Sequence, residues 1–169
     1  MKITDLTIGG FGVFDEAAFA DLEPGVTVFY GPNEAGKTTL VQFLRGMLYG
    51  FDQSERIRYL DKRRASKGDS SCGGELTVTL PAGNKYTIAR SVYRGANNDW
   101  QQHLSFKNGA PHPDPSESLE KLLGGVDEAT FTHVYSVGLA ELQQLGLLDE
   151  TESAALIYRL TSGLDRVSL

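Results

Sequence analysis

The spacing of apolar residues changes period along the chain, and each change predicts an element. In "MKITDLTI" the residues Ile3, Leu6 and Ile8 alternate loosely, which reads as an N-terminal strand. "GGFG" turns the chain, and "VFDEAAFADL" reads as a second strand that stops before Pro24. "GVTVFY", residues 25–30, is β-branched and aromatic with Thr27 as its one polar side chain. That pattern predicts a strand buried on both faces, as in a parallel sheet. In "TTLVQFLRGMLYGF" the residues Leu40, Val41, Phe43, Leu44, Met47 and Leu48 recur at helical spacing, and the helix they predict ends near Gly50.

The middle of the chain returns to period two. "GELTVTLPAGNKYTIARSVYR" predicts strands at about 75–80 and 85–92, with Pro81, Gly83 and Asn84 in the turn. "HLSFKNGAP" adds a third strand and another turn, within a region from Ser91 to Ser118 that reads as rich in loops. The last third is helical in pattern: "SESLEKLLGG", with Ser116 or Ser118 as cap, then "DEATFTHVYSVGLAELQQLGLL" and "ETESAALIYRLTSGL". The predicted fold class is therefore α/β, with a mixed sheet, an antiparallel meander and a helical C-terminal part. It divides into 1–52, 53–115 and 116–169 within one lobe.

Composition narrows the class. The chain has 169 residues, 40% of them hydrophobic and 22% charged, which is the make-up of a soluble globular protein. It has no run of 18 apolar residues and no signal-peptide pattern at its start, so a cytoplasmic protein is expected. Cys72 is the only cysteine, which excludes an internal disulfide, and the three histidines, His103, His112 and His133, make no ligand pair in sequence. A net charge of −6 argues against nucleic-acid binding through bulk charge. Locally, "ERIRYLDKRRASK" carries Arg56, Arg58, Lys62, Arg63, Arg64 and Lys67 against Glu55 and Asp61. It reads as a solvated loop, with a DNA-phosphate patch as the functional alternative.

The chemistry concentrates in "GPNEAGKT". Residues Gly31, Asn33, Glu34, Ala35, Gly36, Lys37 and Thr38 fit G-x-x-x-x-G-K-[ST] at every fixed position, with Thr39 following. A polyphosphate must be met by many donors without steric conflict. Gly31 and Gly36 permit a backbone that turns amides inward, and the helix beginning at Lys37 adds its N-terminal N–H groups and dipole. Lys37 is expected on the β and γ phosphates, and the Thr38 hydroxyl on Mg²⁺. Thr39 is expected near the α phosphate. ATP is favoured over GTP because no [NT]-K-x-D motif follows.

"GPNEAGKTTL" with "FLRGMLYGF", and then "GGELTV", "YTIAR" and "FTHVYSVGLAELQQL", resembles the N-terminal halves of SMC/RecF/SbcC-class ATPase heads, most of all the YhaN-type AAA proteins. The resemblance implies a P-loop NTPase whose signature motif and Walker B acids lie in a C-terminal half, supplied by the same parent chain or another. It also implies a second head that dimerises on ATP, and work in DNA repair or chromosome maintenance. The family's glutamine-bearing loop would fall near residues 136–144, where Gly138 stands at the glutamine's place and Glu141, Gln143 and Gln144 follow. "LGLLDE" mimics a Walker B strand, in which Asp149 would hold Mg²⁺ and Glu150 would polarise water; a helix end explains it equally well. Two other functions fit the residues. One is a self-contained small NTPase or nucleotide kinase using Asp149 and Glu150. The other is a non-catalytic, nucleotide-gated DNA-binding module.

Overall fold

A computed structural model describes residues 1–23, 25–52, 59–60, 72–97 and 99–136. The chain divides into two compact units, Met1–Leu122 and Leu123–Leu169.

The first unit is built on a six-stranded sheet. Its strands are β1 (Lys2–Phe11), β2 (Phe14–Phe19), β3 (Gly73–Thr79), β4 (Lys85–Arg94), β5 (Trp100–Asn108) and β6 (Ala110–Pro111), in the spatial order β2-β1-β3-β4-β5-β6. Every pairing between these strands is antiparallel. Short turns link β1 to β2 and join β3, β4, β5 and β6 in succession, as antiparallel neighbours allow, whereas residues 20–72, with the helix Lys37–Tyr49, separate β2 from β3, which pairs with β1. At the β3–β4 turn, Leu80 N–H donates to Asn84 O at 3.0 Å and Gly83 N–H to Leu80 O at 2.8 Å. The expected meander is present and longer than the period-two signal suggested. β4 runs to Arg94 and β5 fills 100–108, so the stretch after Ser91 is mostly strand.

Alternation puts Leu6, Ile8, Leu76, Val78, Ile88, Val92 and Phe106 in the core, each no more than 2% exposed. Across that surface lies α1 (Lys37–Tyr49), which contributes Leu40, Phe43, Met47 and Leu48. Burying side chains of this size stabilises the unit by roughly 1.5–3 kcal/mol each. Phe11, Phe43 and Phe51 form a ring cluster with centroids 5.4, 5.3 and 6.2 Å apart, and Tyr59 stacks on Phe11 at 5.0 Å.

Two expectations are corrected here. The described strands of the sheet pair antiparallel throughout rather than in a mixed pattern, with a parallel bridge, Gly10 to Cys72, just ahead of β3. The run 25–30 is not a strand buried on both faces. It forms no regular element, with Val26, Val28 and Tyr30 at 92%, 72% and 93% exposure. Its composition is that of an interior strand, but nothing described pairs with its backbone. Only Phe29 finds a ring partner, Phe19, edge-on at 5.3 Å.

The helix α2 (Pro115–Leu123) is capped by neither serine. Asp114 caps it, its Oδ1 accepting from Glu117 N–H at 2.9 Å, with Pro115 in the first helical position. Ser118 instead returns its hydroxyl proton to Asp114 O at 2.7 Å.

In the second unit, Asp127 Oδ1 accepts from Thr130 N–H at 2.8 Å and caps a helical turn, Glu128–Thr130. That turn runs into a π-helical turn, Phe131–Tyr135, closed by Ser136 N–H on Phe131 O at 2.8 Å. The helix expected from Asp127 onward therefore opens with an α turn and passes into a wider π turn. Its continuation lies outside the described residues.

Candidate functional site

The glycine-rich loop stands where the sequence predicted, at the N-terminus of α1. Gly36 is the cap residue, with φ 95° and ψ 11°, a conformation that a residue bearing Cβ rarely adopts. A Cβ there would also meet Val13 Cγ2 at 2.6 Å and Phe14 Cζ at 3.0 Å, from the β1–β2 turn. At Gly31 the space for a Cβ is taken by the Ala35 methyl, 2.9 Å away. Between these two glycines, Ala35 N–H donates to Pro32 O at 3.3 Å, and Glu34 takes a positive φ of 69°.

The electrostatics of the loop suit an anion. Among the described residues no side chain caps α1, and its first turn holds no acidic residue, so its N-terminal N–H groups suit an external acceptor. The helix proper begins with Leu40 N–H on Gly36 O at 2.8 Å. Lys37 folds back over the loop, its Nζ donating to Gly31 O at 2.9 Å and Pro32 O at 2.7 Å. Those bonds are solvent-exposed, so an incoming anion can replace them at little cost. Lys37 and Thr38 are exposed, and Thr39 is half-buried. Asn33, Glu34 and Ala35 are exposed on the loop itself. A polyphosphate therefore fits the residues present. The cradle is one that side chains would fill, a cation stands at its edge, and the Thr38 hydroxyl is available to a Mg²⁺ that travels with the phosphates.

Beside the loop opens a cavity of about 300 Å³ lined by Phe14, Phe19, Val28, Phe29, Tyr30 and Leu40, with Lys37 at its edge. The sequence reading missed this cavity because it placed 25–30 inside a sheet. The signal was present: β2 contributes two aromatic rings, and the run ahead of the loop contributes two more.

Of the other candidates, Glu141, Gln143, Asp149 and Glu150 lie outside the described residues, as do Arg56, Arg58, Lys62, Arg63 and Arg64. His112 sits edge-on to Phe106 at 5.2 Å, and its Nδ1 lies 3.3 Å from Ser118 Oγ. The serine proton is already given to Asp114 O, so the pair is a packing contact rather than a nucleophile and its base. Among the described residues, no group of three His, Cys, Asp or Glu side chains is placed to hold a metal. Nor is any described helix long and apolar enough to cross a membrane.

A glycine loop on an uncapped helix, carrying lysine and two threonines, defines the P-loop class of nucleotide-binding proteins. The chain belongs to a family of AAA domains, whose model matches residues 1–168. It is similar to a protein of Bacillus subtilis (strain 168) called "Uncharacterized protein YhaN", 28% identical over 145 residues. The match takes in 86% of this chain and 14% of that protein, so the chain spans about one seventh of the length of the relative it matches.

Proposed function

We propose that this chain is the ATP-binding half of an ATPase head of the SMC/RecF type. The loop holds the triphosphate, Lys37 neutralises its terminal phosphates, and Thr38 presents a hydroxyl to Mg²⁺. When bound, the metal supplies Lewis-acid stabilisation of charge on the transferring phosphoryl group. Hydrolysis requires an acidic pair and a signature motif from a complementary C-terminal half, and two such heads close on their nucleotides. DNA maintenance is the process this reading assigns.

The observation that carries the reading is the Gly31–Thr38 cradle on an uncapped helix, with Lys37 already positioned over it. The exposed run 25–30 favours a half-head over a self-contained kinase. A complete enzyme of this class has no reason to leave an interior-type segment in water directly beside its phosphate site.

Titrating the chain with Mg·ATP tests the binding step. The unaltered chain binds, and Lys37→Ala weakens binding by one to two orders of magnitude, the loss expected of a charge-assisted contact of about 1.5–3 kcal/mol. Equal affinity for both proteins overturns the assignment. Steady-state hydrolysis by the chain alone stays near background, and robust turnover refutes the half-head.

A further inference from the structure

The far end of α1 is gripped by two polar side chains of the sheet, and neither belongs to the loop. Arg90 on β4 donates from Nε to Met47 O at 3.1 Å. Gln102 on β5 holds Phe51 in both directions: its Nε2 donates to Phe51 O at 2.7 Å, and its Oε1 accepts from Phe51 N–H at 3.0 Å. The register pairs Arg90 with Leu104 and Val92 with Gln102, so the two side chains stand at diagonal positions on neighbouring strands and reach the same helix end. Gly50, whose φ is positive at 102°, lies between them, with the position of its missing Cβ 3.6 Å from both Arg90 Nη1 and Gln102 Oε1.

We propose that Arg90 and Gln102 are positioning residues for the phosphate loop, fixing the tilt of α1 so that its N-terminal amides stay aimed at a bound polyphosphate. The inference rests on the nucleotide reading above. Its physical basis is leverage. Phe43, fully buried near the middle of the helix, acts as the pivot. Lys37 lies six residues to one side, about 9 Å at 1.5 Å per residue, and Met47 lies four residues to the other, about 6 Å. A slip at the clamped end is therefore transmitted to the loop at comparable or larger amplitude. Hydrogen bonds tolerate only a few tenths of an ångström before weakening. At the loop end no side chain among the described residues caps the helix. The orphan carbonyls at the other end and the negative pole of the helix favour a cation there. Burial pushes the Arg90 guanidinium down to about 10, which still leaves it charged at neutral pH. A desolvated charge is a costly way to cap a helix, and it is consistent with a role in setting geometry.

The test uses Gln102→Leu, Arg90→Met and Arg90→Lys in the full chain, titrated with Mg·ATP and with inorganic tripolyphosphate. The temperature is one at which circular dichroism shows each protein folded. Hydrogen exchange of the amides from Lys37 to Val41 is read in parallel. We expect tripolyphosphate affinity to fall about threefold to tenfold in Gln102→Leu and Arg90→Met, with faster exchange in the first turn of α1. Arg90→Lys, which keeps the cation, should recover part of the loss. If the melting temperature falls while tripolyphosphate affinity and first-turn exchange stay at the unaltered values, the clamp is structural only and the inference is overturned. If Arg90→Met does not fold, Gln102→Leu, which removes no charge, decides alone. Absence of binding by the unaltered chain overturns the nucleotide reading, and this inference with it. Binding that all three variants retain in full overturns this inference by itself.

Discussion

Replacing Gly46 by alanine sets two effects of opposite sign against each other. Gly46 is buried in the interior of α1, where glycine costs about 1 kcal/mol relative to alanine, so propensity alone predicts a more stable protein. Yet a Cβ at Gly46 falls on the ring of Phe51, overlapping Cδ1, Cε1 and Cζ. Phe51 is only 1% exposed and packs against Phe11 and Phe43, so it has no free space to move into. Overpacking a close-packed core costs about 1–3 kcal/mol, and full eviction of the ring approaches the roughly 3–5 kcal/mol of a Phe→Ala truncation. Subtracting the propensity gain leaves Gly46→Ala destabilising by about 2 kcal/mol, or about 4–8 °C in melting temperature for a chain of this size. Urea denaturation followed by circular dichroism measures it through a lowered midpoint at unchanged slope. The mechanism is isolated by a double-mutant cycle. In a Phe51→Ala background the clash is gone, and Gly46→Ala becomes neutral or stabilising by up to about 1 kcal/mol. Gly46→Ala as stable as the unaltered chain with Phe51 present would refute the reasoning.

Asp114→Ala removes the cap of α2 and lowers stability by about 1 kcal/mol, whereas Ser116→Ala, at one of the two serines the sequence offered as cap, changes little; thermal melts separate the two. Tyr30→Lys and Val28→Thr, at 93% and 72% exposure, leave the stability of the chain alone within about 0.5 kcal/mol, but lower its affinity for a co-expressed complementary half, as read by co-purification. Asp5 is held below its ordinary 3.8 first by the Thr4 hydroxyl and then by Asp21 N–H. A depressed carboxylate contributes stability above its unfolded value and loses it as pH falls through the folded one. Asp5→Asn therefore lowers stability slightly at neutral pH, leaves it unchanged in strong acid, and so flattens the acid limb below about 3.8, as read from urea midpoints across pH.

The strands were legible because their polar and apolar positions alternate on a sheet with one open face. "GGELTV" and "YTIAR" could be read alone, since each buried residue has a solvated neighbour. The loop was legible for a different reason: backbone conformation and charge restrict its residues more tightly than packing does. Two readings failed where local signals competed. Ser116 and Ser118 are both good caps by type, and only the position of Pro115 at the first helical residue makes Asp114 the cap. The run 25–30 has the composition of an interior strand, yet strand formation needs a partner backbone. None of the described residues supplies one.

By itself, the sequence determined the phosphate loop, the helix that follows it and the alternation of the meander, because steric and periodic rules for these act over a few residues. Tertiary structure alone decided that β1 pairs with β3 across the intervening loop and helix, and that Arg90 and Gln102 meet at one helix end. Those facts depend on which distant backbones lie side by side, and residues more than forty positions apart carry no local signal of their contact.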